Sequence, residues 1–359
     1  MDRRKLLKMG TVGAAALAAP SIANAEAKVR WRMATSFPKN LGILYETAEL
    51  FASQVAELTS GEVEIELYGP GELVGATQVL DAVGNDTIEL TQTASTYFYG
   101  LNPALAFGST VPFMMTSRQQ NAWYYYRGGR ELLQDLHAQF NVHTMLSGNT
   151  GTQMGGWYRK EIETPDDLKG LKVRVAGLAG EVFAKAGATP QQIPGTDIYP
   201  ALERGTIDGM EYIGPFDDEK LGIVKVAPYY YYPGWHEGAA MIMTYVNLDR
   251  WNGLSAPHQQ ALETAASTCN LMMQARFDAE NPAALERLLA SGAQLRAFSP
   301  EVLGVLYNAT QEVMADLADS NETFAALLKS QQEFRDSSYS YHQLAEFSFD
   351  LAMLRTRQQ

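Results

Sequence analysis

Between residues 29 and 67 the hydrophobic pattern runs with a period of two, changes to three and four, and returns to two, and this is the strongest constraint on the fold. Val29, Trp31 and Met33 alternate with Arg30 and Arg32, as in a half-buried strand, until Phe37-Pro38-Lys39-Asn40 breaks the pattern. Leu41, Leu44, Ala48, Phe51, Val55 and Leu58 then share one face of a helix that Ser60-Gly61 ends. Val63, Ile65 and Leu67 alternate with Glu62, Glu64 and Glu66 before the turn Gly69-Pro70-Gly71. Strand, helix, strand in that order predicts an α/β sheet with helices packed on its faces.

The alternation continues. The pattern predicts a short helix over 78–83, a strand over 88–93, a helix over 121–140 and a strand over 142–146. Gly148, Gly151, Gly155 and Gly156 then crowd one segment, which either lets the backbone approach a ligand or marks a crossover between domains. Beyond it, Lys172 and Arg174 alternate with Val173 and Val175 after a turn over 166–170. Helices over 180–186 and 197–204, a strand from 207 to 212, an aromatic run over 229–232 and a strand with Met241, Met243 and Tyr245 follow. No strand pattern appears after Val246, and from Pro257 the chain reads as nearly all helical, with Ser299-Pro300-Glu301 as a good helix start.

The expected division is 1–25, 26–150, 151–238, 239–298 and 299–359. The first segment has a basic start (Arg3, Arg4, Lys5, Lys8), an apolar stretch over 9–19 and the small-residue exit Ala23-Asn24-Ala25, so it reads as an export signal that resembles the twin-arginine type, with the general export route as its alternative. Its apolar stretch falls short of the roughly 20 residues that span a bilayer, and no later segment is long enough, so a soluble mature chain is expected. The whole chain has 28 Lys+Arg against 41 Asp+Glu, a formal charge of −13. Removing four basic residues and Asp2, net +3, leaves −16 for the rest. That balance argues against a nucleic-acid partner, which needs a basic stripe to displace counterions. Cys269 is the single cysteine of the sequence, so no internal disulfide forms, and it reads as a small buried hydrophobe on a helix.

The sequence offers no catalytic set. The five histidines lack zinc spacing, and there is no Gly-x-Ser-x-Gly elbow, phosphate loop or dinucleotide fingerprint. Arg174 presents a planar fork that matches a carboxylate, or it is a surface arginine paired with Asp166 or Asp167. Glu211, after Asp208-Gly209, is a site residue or a solvated loop acid.

The run Asp167-Leu168-Lys169-Gly170-Leu171-Lys172-Val173-Arg174-Val175 and the run from Tyr199-Pro200-Ala201-Leu202-Glu203-Arg204-Gly205 to Thr206-Ile207-Asp208-Gly209 resemble the signature of the substrate-binding proteins of TRAP transporters, the DctP-type family. Phe37-Pro38, the segment 73–83 and the helical C-terminus fit as well. The resemblance implies a two-lobed α/β periplasmic binding protein with a hinge and a long helical C-terminus, which is not an enzyme and delivers its ligand to membrane permease subunits. Its rivals are an exported enzyme acting on a carboxylic acid and a receptor-associated ligand-binding protein.

Residues 211–218 and 229–238 resemble the branch that binds 2-oxo or 2-hydroxy acids with a metal cation. By that resemblance Arg174 fastens the ligand carboxylate, with Gln153, Asn149, Tyr97 and Phe216 also on the substrate. Gln153, Glu211, Tyr212 and Glu237 are implied around the metal, Glu237 being a further ligand or a rim acid. Tyr212 stands where tryptophan is common, contributing either its backbone carbonyl or a ring that shapes the pocket. Glu211 and a substrate carboxylate repel each other, and a cation with oxygen ligands relieves this, sodium being favoured over calcium. Phe324, Leu327, Leu328, Phe334, Tyr341, Leu344, Phe347 and Leu351 make the stretch 321–355 apolar. It either packs across its own lobes or, as the resemblance implies, supports a homodimer through an exchanged C-terminal helix.

Overall fold

The computed structural model describes residues 29–357; the predicted export signal lies outside them. The chain begins β1 (Val29–Thr35), α1 (Gly42–Leu58), β2 (Val63–Tyr68), α2 (Val79–Gly84), β3 (Leu90–Thr93), α3 (Ser117–Tyr126), α4 (Gly129–Ala138) and β4 (Val142–Asn149). It crosses over into β5 (Gly156–Tyr158), β6 (Lys172–Arg174), α5 (Leu178–Lys185), β7 (Thr189–Gln191), α6 (Ile198–Glu203), β8 (Gly209–Met210), α7 (Pro215–Leu221) and β9 (Tyr229–Tyr232). β10 (Met241–Asn247), α8 (Leu248–Asn252), α9 (Ala256–Ala290), β11 (Gln294–Ala297), α10 (Pro300–Ser320), α11 (Glu322–His342) and α12 (Ser348–Arg357) complete it.

Two sheets result, one per lobe. The first has the order β2-β1-β3-β10-β4 and the second β11-β9-β5-β8-β6-β7. Each mixes parallel pairs with a strand from across the divide: β10 returns antiparallel between β3 and β4, and β5 lies antiparallel between β8 and β9. The helix α9, roughly 50 Å long at 1.5 Å per residue, packs along β4 and α1 in the first lobe and reaches α7 in the second. The lobes are closed on each other. One apolar cluster joins Phe37, Leu44 and Ile242 of the first to Tyr212 and Ile213 of the second. Gly177, with φ +61°, brings its backbone against Thr96 of the first lobe, where a side chain would collide.

The structure corrects three local expectations. The helix expected over 121–140 is two helices, α3 and α4, because Gly128 at φ +78° breaks the path between them. A strand does follow Val246 besides β10: β11 pairs in parallel with the tyrosine strand β9. It was illegible because it is a four-residue edge strand whose residues are half-buried or exposed, without apolar alternation. The strand expected over 207–212 is only Gly209–Met210, after which the chain turns into the cleft. Cys269 is buried on α9, and burial pushes its thiol up to about 12.

Candidate functional site

β6 and β8 pair in parallel with Arg174 opposite Met210, so the residue after β8, Glu211, is delivered beside Arg174. Both side chains are buried, Arg174 at 2% exposure and Glu211 at 3%. Arg174 Nη1 donates to Glu211 Oε1 at 2.8 Å and to the Glu211 carbonyl, while its Nε donates to the Ile193 carbonyl at 3.1 Å. The alternative pairing with Asp166 or Asp167 is excluded. Asp167 accepts from the backbone of Glu163 and Thr164, and Asp166 pairs with Lys169 at 2.7 Å.

Burial alone would lift the Glu211 carboxyl, but the Arg174 guanidinium, His236 and the Ala176 N–H outweigh it and hold the group below its ordinary value. Ala176 N donates to Glu211 Oε1 at 3.1 Å, and His236 Nε2 stands 3.4 Å from Glu211 Oε2. Glu237 behaves in the opposite way. Burial and the nearby Glu211 charge push its carboxyl well above the usual range, and Arg174 and Gln153 offset this only in part. The two buried carboxyl groups thus feel the same guanidinium and are shifted in opposite directions.

Gln153 comes from the crossover after β4. Its Nε2 donates to Thr150 Oγ1 at 3.1 Å, and Thr150 Oγ1 in turn accepts the Ala240 N–H at 3.0 Å. That bond fixes the amide, and Gln153 Oε1 is left buried without a partner. The Tyr212 ring lies against the guanidinium, its centroid 5.3 Å from Arg174 Cζ, and Tyr212 lines the pocket. From the first lobe Tyr97 closes over the site, its carbonyl accepting Gln192 Nε2 at 3.0 Å.

Tyr97, Gln153, Arg174, Glu211, Tyr212 and Glu237 thus line one interlobe cavity of about 30 Å³. A single water needs about 10–15 Å³ by this measure, so only a ligand of a few heavy atoms fits without the lobes parting. Asn149 and Phe216, expected on the substrate, do not line it. Asn149 Nδ2 donates to Gln120 Oε1 and its Oδ1 accepts from Gly151 N, both at 2.9 Å, so the side chain braces the crossover instead. Phe216 is half-buried: its backbone N–H donates to Asn281 Oδ1 at 3.0 Å, and Lys220 Nζ covers its ring at 4.0 Å. Sequence reasoning missed Thr150 and His236. Their signals were position only, three residues before Gln153 and one before Glu237.

The donor set fits a hard cation. Gln153 Oε1, the carboxyl groups of Glu211 and Glu237 and the local carbonyls are oxygen donors, and among the described residues no group of three or more His, Cys, Asp or Glu side chains is placed to hold a metal by itself. An unsatisfied buried oxygen beside two carboxyl groups is the feature a cation would relieve.

Residues 34–321 match the bacterial extracellular solute-binding proteins, family 7, also called DctP. The chain belongs to this family. As a DctP-family protein it is a solute-binding component of the TRAP type, not an enzyme. It is 41% identical over 358 residues, 98% of both chains, to the monocarboxylate 2-oxoacid-binding periplasmic protein of Nostoc sp.. The crystal structure of a TRAP transporter solute-binding protein from Bordetella bronchiseptica, a mixed-occupancy dimer with copurified calcium and picolinate in one active site, is 44% identical. It superposes with a TM-score of 0.91 over 93% of this chain and all of that one. A TRAP periplasmic solute-binding protein from Pseudoalteromonas atlantica with bound sodium and pyruvate is 36% identical, with a TM-score of 0.87 over 89% of this chain and 98% of that one. No helix of the described residues is long and apolar enough to cross a membrane.

Proposed function

We propose that this DctP-family protein captures a small monocarboxylic 2-oxo acid, or the matching 2-hydroxy acid, together with a cation in the periplasm and delivers it to the TRAP permease. The observation that carries this reading is a buried Arg174–Glu211 ion pair that lines one small cavity together with Glu237 and Gln153, whose Oε1 is unpartnered. Arg174 and the Tyr97 hydroxyl hold the ligand carboxylate. Gln153, Glu211, Tyr212 and Glu237 hold the cation, which when bound supplies the positive charge that lets two carboxylates share the site. A 2-oxo acid presents two adjacent oxygens to such an ion, as picolinate presents an oxygen and a ring nitrogen. In this reading residues 29–150 and 151–238 build the two lobes, 239–298 complete both, and 299–357 are C-terminal helices. Calorimetry on the purified protein is expected to show binding of pyruvate and no binding of succinate, whose second carboxylate would be buried near Glu211 without a counter-charge. Equal binding of both acids would refute the assignment.

The same proposal extends to assembly. Phe324, Leu327 and Leu328 of α11 are buried on their own chain, but Tyr341, Leu344, Phe347, Phe349 and Leu354 further along are exposed. Such a run of apolar side chains exceeds what a solvent-facing terminal helix carries. The occupant we assign is a second copy of this chain, exchanging its C-terminal helix. Light scattering at micromolar concentration is expected to report two chain masses, and one mass after truncation beyond His342. A single mass for the full chain would leave the helix to its own lobes.

A further inference from the structure

Thr96 and Gly177 meet across the interlobe seam, at the edge of the cavity that holds Arg174. Thr96 lines that cavity from the first lobe, is 4% exposed, and its Oγ1 has no hydrogen-bond partner. Gly177 follows Ala176, which lines the cavity from the second lobe. Its backbone, at φ +61° and ψ −142°, is in a region that essentially only glycine occupies. A Cβ built there would fall inside the Thr96 hydroxyl, 3.1 Å from Thr96 Cβ and 3.3 Å from the Thr96 carbonyl oxygen.

The contact is hard on both sides. Thr96 belongs to a tight turn over 95–98, which Ser95 Oγ ties to the Leu105 carbonyl at 2.6 Å and in which Tyr97 N donates to the Ala94 carbonyl at 3.1 Å. Gly177 is held between β6 and α5. Val175 N donates to the Gln191 carbonyl at 3.2 Å, Ala176 N to Glu211 Oε1 at 3.1 Å, and the Gly177 carbonyl accepts Gly180 N at 3.0 Å. Elsewhere on the seam a close approach ends on a flexible tip: a Cβ at Gly42 of the first lobe would meet Lys220 Nζ of the second, which can swing aside. Threonine is short and stiff at χ1, and its own backbone lies directly behind the hydroxyl.

We propose that this contact is the stop that sets how far the lobes close, and that Gly177, having no side chain, lets them close far enough to grip an acid of a few heavy atoms. This rests on the 2-oxo acid reading of the site. A side chain at 177 would hold the lobes apart, so a small acid anchored on Arg174 would lose contact with the first lobe's wall, while a bulkier acid would still span the gap. Ligand size is then selected by the spacing of the lobes.

The test compares pyruvate with the branched acid 3-methyl-2-oxobutanoate by calorimetry in wild type, Gly177→Ala, the double variant Gly177→Ala/Thr96→Ala and Thr96→Leu. Small-angle X-ray scattering of the same proteins reads the compaction that pyruvate causes. A misfit of one methylene changes affinity by about tenfold or more, so Gly177→Ala is expected to shift the affinity ratio toward the branched acid by at least that factor and to reduce the compaction. Backbone strain at 177 persists in the double variant, whereas the collision with the hydroxyl is gone, so the ratio there is expected to return toward wild type. Thr96→Leu brings bulk from the other lobe, on a backbone that is not left-handed, and is expected to weaken pyruvate and reduce compaction even if Gly177→Ala does not fold; thermal melts check folding. Wild-type pyruvate affinity and compaction in the folded variants, or a loss in Gly177→Ala that Thr96→Ala does not relieve, would overturn the inference and leave the ligand reading standing. Absence of binding by either acid to wild type would overturn both.

Discussion

Arg174→Lys is expected to weaken binding of a 2-oxo acid by about 1.5–3 kcal/mol, the range for charge-assisted hydrogen bonds, in a protein that still folds. The reason is geometric. The guanidinium holds its orientation by bonds to the Ile193 carbonyl, the Glu211 carbonyl and Glu211 Oε1, and it still has a face for the ligand. An ammonium can neutralise Glu211, but as a point charge it cannot make those bonds and still offer, as Nη2 does, donors of fixed direction to a carboxylate. Arg174→Ala has a second, larger consequence, because it strands Glu211 in the interior; breaking a buried pair from one side costs about 3–5 kcal/mol of stability. The pH dependence has a definite sign. With Arg174 present the Glu211 carboxyl sits below its ordinary value, so the pair's contribution is present at neutral pH and is lost as pH falls through the folded-state value. The stability gap between wild type and Arg174→Ala should therefore narrow in acid. Calorimetry that finds unchanged affinity in a folded Arg174→Lys protein would remove Arg174 as the anchor.

The parts of this site that were legible in the sequence are those that local pattern dictates. The strand–helix–strand start survives as β1, α1 and β2 because its period is short-range, and the Leu168-Lys169-Gly170-Leu171 turn places Arg174 on β6 whatever the rest of the chain does. Whether Arg174 faced Asp166 or a cleft was beyond that pattern, since it depends on β8 pairing with β6 from 35 residues away. The same applies to Thr150 and His236, whose value lies in what they touch. Asn149 and Phe216 do not line the cavity for a tertiary reason too: Gln120 on α3 binds the Asn149 amide, and Lys220 covers the Phe216 ring. β11 was hidden because its partner, the tyrosine strand β9, supplies the buried surface, and an edge strand needs little apolar character of its own.

Removing sodium and calcium is expected to lower the affinity for pyruvate by on the order of 100-fold, near the upper end of the usual coupling between two sites. Burial and Glu211 push the Glu237 carboxyl well above the usual range, and Glu211 with the ligand carboxylate outweighs the single Arg174 guanidinium. The excess negative charge lies in a low-dielectric, closed space that a cation relieves, and a site with one Glu211 carboxylate and one ligand carboxylate opposed by Arg174 is only modestly charged, which favours sodium over calcium. Because acid and ion each complete the other's surroundings, linkage requires that pyruvate raise the ion's affinity by the same factor. Glu211→Gln should weaken the ion first and the acid through it, with Arg174 still in place to hold the carboxylate loosely. The measurement is a pyruvate titration of ion-stripped protein in a choline or Tris buffer, repeated with sodium and with calcium added separately, with stripping verified by elemental analysis. Equal affinity in all three conditions would mean that the buried carboxyl groups and the ligand are reconciled without an ion, and the placement of Gln153 and Glu211 around one would fall with it.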